Sequence, residues 1–228
     1  MSLHIHGSKL VVDSLIDGNV VGIKRPKAIR FDSKILSPGA YIDNRKLPSH
    51  PREWDQVLTE LGAVAKKLRH DYTVVASVAT GGIVHAGVLA WKLKVPHVIA
   101  KKEEKGHGLG GFIDGDPAVL AGANVLLIED MSSTFGSCLK AMGPLEEAGA
   151  LVTHTLLIST WNLPDFRQNI RGHEVHALCT GETILNQMVE RGLVDGEHED
   201  VVRHWLEYPE DESWAHDGNW LPPKGETF

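Results

Sequence analysis

Cysteine is scarce in this chain: Cys138 and Cys179 are the only two in 228 residues, too few for a disulfide framework. No apolar run approaches the roughly 18 residues of a membrane-spanning helix, and no signal-like segment opens the chain. The sequence therefore reads as soluble and cytoplasmic, without a membrane partner. Basic residues are also short, with 23 Lys and Arg against 30 Asp and Glu and a formal charge of −7. That balance excludes a partner needing a broad basic surface, such as nucleic acid, and any phosphate binding must rest on local groups. Internal repeats and low-complexity tracts are absent too. What is present is length for one α/β domain with additions, and too little for two independent ones. Residues 1–228 are read as a single domain, with an N-terminal arm and hood over 1–50, a core over 51–190 and an acidic extension over 191–228.

The core shows an ordered alternation of patterns. Trp54, Val57, Leu58, Leu61, Val64 and Leu68 recur at three- and four-residue spacing, predicting an amphipathic helix over 51–70 with Pro51 in its first turn. An apolar strand over 74–78 ends in the turn Ala79-Thr80-Gly81-Gly82, followed by a helix over 84–93. A strand over 97–100 leads into a loop over 101–111 with three lysines, a histidine and four glycines. Charges that cannot pack and glycines that resist helix predict an excursion from the core. Further on come a helix over 138–148, strands over 151–158 and 174–179, and helices over 183–191 and 197–206. Such alternation predicts a parallel sheet with crossover helices. The tail carries Trp205, Trp214 and Trp220, which argue for docking on the body or on a partner. Residues 1–30 show little periodic signal.

The chemistry is expected at residues 123–138. Val125 to Ile128 suits a strand buried on both faces, and Glu129 and Asp130 fall at its carboxyl end, the edge where open α/β sheets bind ligands. Ser132, Ser133, Thr134, Gly136 and Ser137 follow, small residues with free backbone N–H groups at a helix start, which together form an anion cradle. An ordinary strand-to-helix connection, with a capping hydroxyl and solvated acids, is the competing reading.

The run from Leu127 to Ser137, Leu-Ile-Glu-Asp-Met-Ser-Ser-Thr-Phe-Gly-Ser, resembles the phosphoribosyl pyrophosphate (PRPP) motif of type I phosphoribosyltransferases. In that motif four hydrophobic residues precede two acids and a Thr/Gly-rich loop. Phe135 stands where the family usually has glycine. The loop Lys101-Lys102-Glu103-Glu104-Lys105-Gly106-His107-Gly108 is similar to the catalytic loop of orotate phosphoribosyltransferases, usually Arg-Lys-x-x-Lys-x-His-Gly. Lys101 there keeps the charge but loses the bidentate fork of arginine. Phe31 to Leu47 resembles that family's N-terminal segment, in which a lysine reaches the substrates and an aromatic lies near the base. Lys34 and Tyr41 are the matching positions, although Ile35-Leu36 replaces the family's Ser-Gly. Some members carry lysine at the position of Gly81.

The resemblance spans roughly residues 30–190. It implies a type I phosphoribosyltransferase-like α/β fold, a parallel sheet flanked by helices with a small N-terminal hood and a C-terminal extension. It also implies transfer of a 5-phosphoribosyl group from Mg²⁺-bound PRPP to a nitrogenous base, most simply orotate, in a homodimer with shared sites. By the same resemblance Lys105, His107 and Asp130 are catalytic. Lys34, Tyr41, Lys101, Lys102, Glu129 and Met131 to Ser137, Phe135 included, would bind substrate, and Mg²⁺ would be held through PRPP with no direct protein ligand. The family's arginine for the orotate carboxylate is replaced near Ser159-Thr160-Trp161-Asn162, with Arg167 close by in sequence. Another acceptor base, or a non-catalytic PRPP-binding regulator, are the alternatives; the acidic balance and the lack of room for a helix-turn-helix before residue 31 weigh against the regulator.

Overall fold

The computed structural model describes residues 2–23, 28–31, 33–101 and 111–217. In chain order the elements begin with β1 (Ser2–Ile5), α1 (Lys9–Asp17), β2 (Val21–Ile23), β3 (Ile29–Arg30), β4 (Leu36–Ser37) and β5 (Ala40–Ile42). A 3₁₀ segment (Asn44–Ser49) leads to α2 (Pro51–Lys67), β6 (Val74–Val78), α3 (Gly82–Leu93), β7 (His97–Ala100) and β8 (Ile113–Asp114). Then follow β9 (Asn124–Ser132), α4 (Gly136–Glu147), β10 (Leu151–Thr160), α5 (Pro164–Asn169) and β11 (Glu174–Thr180). The chain closes with α6 (Gly181–Glu190), α7 (Gly196–Glu207) and α8 (Ser213–Asp217).

The alternation after residue 51 supplies six strands of a seven-stranded sheet in the order β1-β11-β10-β9-β6-β7-β8. Every pairing is parallel except that of the two-residue β8, which runs antiparallel to β7. Because successive strand residues point to opposite faces, Leu126, Ile128, Leu156 and Leu178 face one layer made by α1, α2, α3 and α6. Leu127, Leu157, Val175 and Ala177 face the other, where Cys138, Met142 and Leu145 of α4 and Phe166 of α5 pack. Both central strands are therefore apolar on each face, as parallel strands with helices on both sides must be.

The N-terminus differs from the arm expected there. β1 adds a parallel edge strand beside β11, with Leu3 opposite Val175 and Ile5 opposite Ala177. Four residues are too few to show a period, so only pairing with a distant strand reveals it. β9 also runs past Ile128 to Ser132, because Met131 and Ser132 stay in register with Ser159 and Thr160 of β10. At the other end the extension docks on the hood. Trp205 is fully buried, 5.3 Å from the ring of Trp161 and 6.0 Å from that of Phe31. Trp214 packs with Ala28 and Leu36; Trp220 lies outside the described residues. No helix among the described residues is long and apolar enough to cross a membrane.

Candidate active site

The site is built around the carboxyl end of β9. Glu129 and Asp130 are 3% and 8% exposed, so both carboxylates lie within the fold. The turn between β6 and α3 closes directly on them. A Cβ at Gly81 would strike the Asp130 carboxylate, and one at Gly82 would sit 2.6 Å from the Ile128 carbonyl oxygen. The paired glycines are thus required by close approach to the acids, and a lysine at 81 would have to push Asp130 aside. Asn44 stitches the hood to the same strand. Its Nδ2 donates to the Asp130 backbone carbonyl and to Ser159 Oγ, each at 2.8 Å.

Beyond the acids the chain turns into α4 through Ser133, Thr134 and Phe135. The Phe135 amide donates to Ser132 Oγ at 2.8 Å, and Asn169 Nδ2 donates to the Thr134 carbonyl at 2.8 Å. Phe135 adopts φ +66°, the left-handed region that favours glycine. That backbone costs a non-glycine residue about 1–2 kcal/mol. The ring, however, is fully buried against Phe166 and His173, both at 5.7 Å between centroids. Losing such a buried ring costs about 3–5 kcal/mol. Burial wins, and the sharp turn survives without glycine. The hydroxyl-bearing Ser133, Thr134 and Ser137 are half-buried around the start of α4, a twelve-residue helix whose first amides have no partner within the helix.

A buried acid pair, a glycine turn pressed against it and a hydroxyl-bearing turn at a helix start thus follow one another around the end of β9. The phosphoribosyl transferase domain model matches residues 53–161, which span the glycine turn, the acid pair and the cradle. Orotate phosphoribosyltransferase from Listeria monocytogenes (serotype 4b) is 32% identical over 204 residues, covering 89% of this chain and 96% of that one. This chain belongs to the orotate phosphoribosyltransferase family. Solved structures agree on the fold. Leishmania donovani UMP synthase superposes with a TM-score of 0.73 at 23% identity, covering 88% of this chain and 42% of that longer one. Orotate phosphoribosyltransferase from Aeropyrum pernix gives 0.64 at 21% identity, over 78% and 99%.

The other residues expected in an orotate phosphoribosyltransferase site fall into three groups. Lys101 lies one residue beyond β7, where the Ala100 carbonyl accepts the Ala79 amide at 2.9 Å, so it borders the glycine turn. Its side chain is 15% exposed, and its ammonium pairs with Asp114 at 2.7 Å. Lys102, Lys105 and His107 lie outside the described residues. Lys34 is exposed in the turn joining β3 and β4, at φ +68°, with its carbonyl accepting from Arg30 at 2.7 Å. Tyr41 lies on β5 opposite Gly22 of β2, its ring filling the space a side chain at 22 would need. Lys34 and Tyr41 thus sit on two separate two-stranded sheets of the hood. Arg167 is already engaged, donating to the Asn162 carbonyl at 3.0 Å and facing Glu207 at 3.4 Å. Trp161, near the family's arginine position, is buried against Gly181 and Trp205.

Sequence reading missed two residues here, Asn44 and His85. His85 is fully buried in the first turn of α3, and its Nδ1 accepts from Trp54 Nε1 at 3.0 Å. Burial lowers its pKa below the ordinary histidine value, while the Asp130 carboxylate and the Asn44 backbone carbonyl act in the opposite sense. The available signal was its place three residues after Gly82, on the face of α3 that also carries Ala86 and Leu89.

Proposed function

We infer that this chain transfers the 5-phosphoribosyl group of PRPP to orotate, giving orotidine 5′-phosphate and pyrophosphate. The observation that carries this reading is the acid pair of β9, buried beside the Gly81–Gly82 turn and continuous with the α4 cradle. Breaking the bond to pyrophosphate leaves a ribosyl group with cationic character, which fixed carboxylates stabilise more strongly in a water-poor site than in solution. Glu129 and Asp130 suit the ribose hydroxyls and that developing charge. The amides and hydroxyls from Met131 to Ser137 suit the 5′-phosphate, with Phe135 contributing backbone only because its ring is in the core. Lys101, released from Asp114, suits the departing pyrophosphate together with Lys102, Lys105 and His107. Mg²⁺ would arrive held by PRPP, with no direct protein ligand, and the neighbouring carboxylates suit its positive charge. When bound, it would neutralise charge on the pyrophosphate.

The orotate carboxylate needs a cation or several N–H donors, because an unpaired charge in a closed site is costly. With Arg167 engaged by Glu207 and Trp161 buried, Lys34 is the described lysine best suited to that role. A different acceptor base is the second reading, favoured by the tryptophan near the arginine position. The deciding experiment mixes the protein with Mg²⁺, PRPP and a panel of bases and measures pyrophosphate release. Orotate should be used with a weak Michaelis constant, and Lys34→Ala should abolish its turnover. Tight orotate use that survives Lys34→Ala would refute the role of Lys34, and turnover with another base alone would replace orotate as acceptor.

Assembly as a homodimer with shared sites is part of the same reading. Val84 and Trp91, seven residues apart on one face of α3, are 48% and 68% exposed. An apolar ridge of that kind on the helix that follows the glycine turn supports a partner subunit seated beside the site.

A further inference from the structure

We propose that His6, His176 and His154 form a proton-counting latch, which keeps β1 docked with one added proton and frees it from the sheet edge when a second arrives. The inference concerns the N-terminal edge of the sheet and does not depend on the reaction assigned to the acid pair. His176 of β11 stands in the middle of the group. Its Nδ1 meets His6 Nε2 at 2.9 Å, and its Nε2 meets His154 Nδ1 at 3.2 Å. Three rings are thus joined in a line by two nitrogen-to-nitrogen contacts, with His6 Nδ1 and His154 Nε2 as its ends.

The capacity of the line follows from counting protons. Each contact closes only with one N–H and one lone pair, and a neutral imidazole supplies one of each. Three neutral rings carry three protons, so two fill the contacts and the third sits at an end. The Asp71 carboxylate, 3.6 Å from His154 Nε2, can only accept and favours that end. A fourth proton takes the other end, and both contacts survive with one positive charge on the line. A fifth finds only lone pairs already used inside a contact, so two N–H groups are set face to face.

The line gives way at β1. β10 and β11 have a strand on each side, whereas β1 ends the sheet with four residues beside β11. The surrounding charges load the same end. Lys67 of α2 acts on His6, and His4 of β1 stacks on His176 at 4.8 Å between centroids. Glu174 faces His4 at 3.1 Å, but both side chains are nearly half exposed and such a pair holds β1 weakly. Asp71 sits at the β10 end and steadies His154 instead. The second proton also enters against burial, since His176 is 5% exposed and its pKa is lowered to about 4. Release therefore belongs to acid and not to neutral pH.

The test titrates the full-length, ¹⁵N-histidine-labelled protein from neutral pH into acid. Long-range ¹H–¹⁵N spectra read the protonation of each ring, and hydrogen-exchange protection factors over residues 3–6 read the docking of β1. The His6 amide is among these, donating to the Ala177 carbonyl at 2.9 Å. The first proton taken up by the three rings should leave protection unchanged. The second should lower it about tenfold or more, while the amides of β10 keep theirs. His6→Gln removes the outer ring but can turn either its N–H or its carbonyl toward His176, so β1 should stay protected in acid. His4→Gln lies outside the line and should behave like the parent. Loss of protection with the first proton, no loss after the second, simultaneous loss over β1 and β10, or acid release undiminished in His6→Gln would each overturn the proposal. If β1 is unprotected in His6→Gln even at neutral pH, His176→Gln, which removes both contacts, takes its place with the same expectation.

Discussion

Asp130 makes two kinds of contact at once, and that duality sets its sensitivity to substitution. Its backbone carbonyl is structural, accepting from Asn44. Its carboxylate lies against the glycine turn. Asp130→Asn leaves the backbone contact and the side-chain volume unchanged, so the fold should survive with a melting temperature near that of the parent. Turnover should fall about 10²-fold or more, the loss expected for one preorganised electrostatic contact. Near-parental pyrophosphate release from a well-folded Asp130→Asn protein would remove Asp130 from the chemistry. Phe135 shows the converse case, a residue in a binding loop whose side chain belongs wholly to the core.

At the scale of elements, the most distinctive contact is the one that holds β1 to the sheet. His4, His6 and His154 surround His176 of β11, with ring centroids at 4.8, 5.1 and 5.2 Å. His176 Nδ1 pairs with His6 Nε2 at 2.9 Å, and its Nε2 with His154 Nδ1 at 3.2 Å. Glu174 faces His4, Asp71 faces His154, and Lys67 acts on His6. Burial, reinforced by the neighbouring histidines and opposed by Glu174, lowers the pKa of His176 to about 4 from 6.5. The unfolded chain therefore binds a proton more readily than the native one between those values. Stability from this group is complete above pH 6.5 and is lost as pH falls toward 4, on the order of 1–3 kcal/mol in all. Urea midpoints measured across that window should decline, and His176→Gln should flatten the decline. An identical slope in the variant would assign the acid sensitivity to other groups.

For the whole molecule, the decisive question is whether one chain completes a site. Lys101 follows β7 next to the glycine turn, and the exposed ridge of Val84 and Trp91 lies on the helix following that turn. If the basic loop over 101–111 serves the partner's site, mixing inactive Lys105→Ala with inactive Asp130→Asn should restore activity through hybrid dimers with one intact composite site. No recovery, with subunit exchange verified independently, would mean that each chain builds its own site. The C-terminal extension acts on the same scale, tying Phe31 and Leu36 of the hood to the body through Trp205 and Trp214.

The sequence by itself determined the layered α/β architecture and set an acid pair and a hydroxyl-rich turn in succession along the chain. Both depend on local signals: helical spacing over α2, apolar runs at β6 and β9, and an acid pair followed by hydroxyls and glycine. Local signals also marked Lys101 as part of a basic loop and the glycine pair as a turn. What only the tertiary structure decided depends on residues far apart in the chain. β1 is a strand because β11 offers it an edge, and glycine at 81 leaves room for the Asp130 carboxylate where a side chain would displace it. Arg167 is tied to the Asn162 carbonyl and to Glu207, which lies forty residues away. Trp54 and His85, thirty-one residues apart, become one unit only when α2 and α3 pack on the same face of the sheet. Spacing along a chain encodes which face of an element is apolar, whereas close approach between elements is set by how those faces meet.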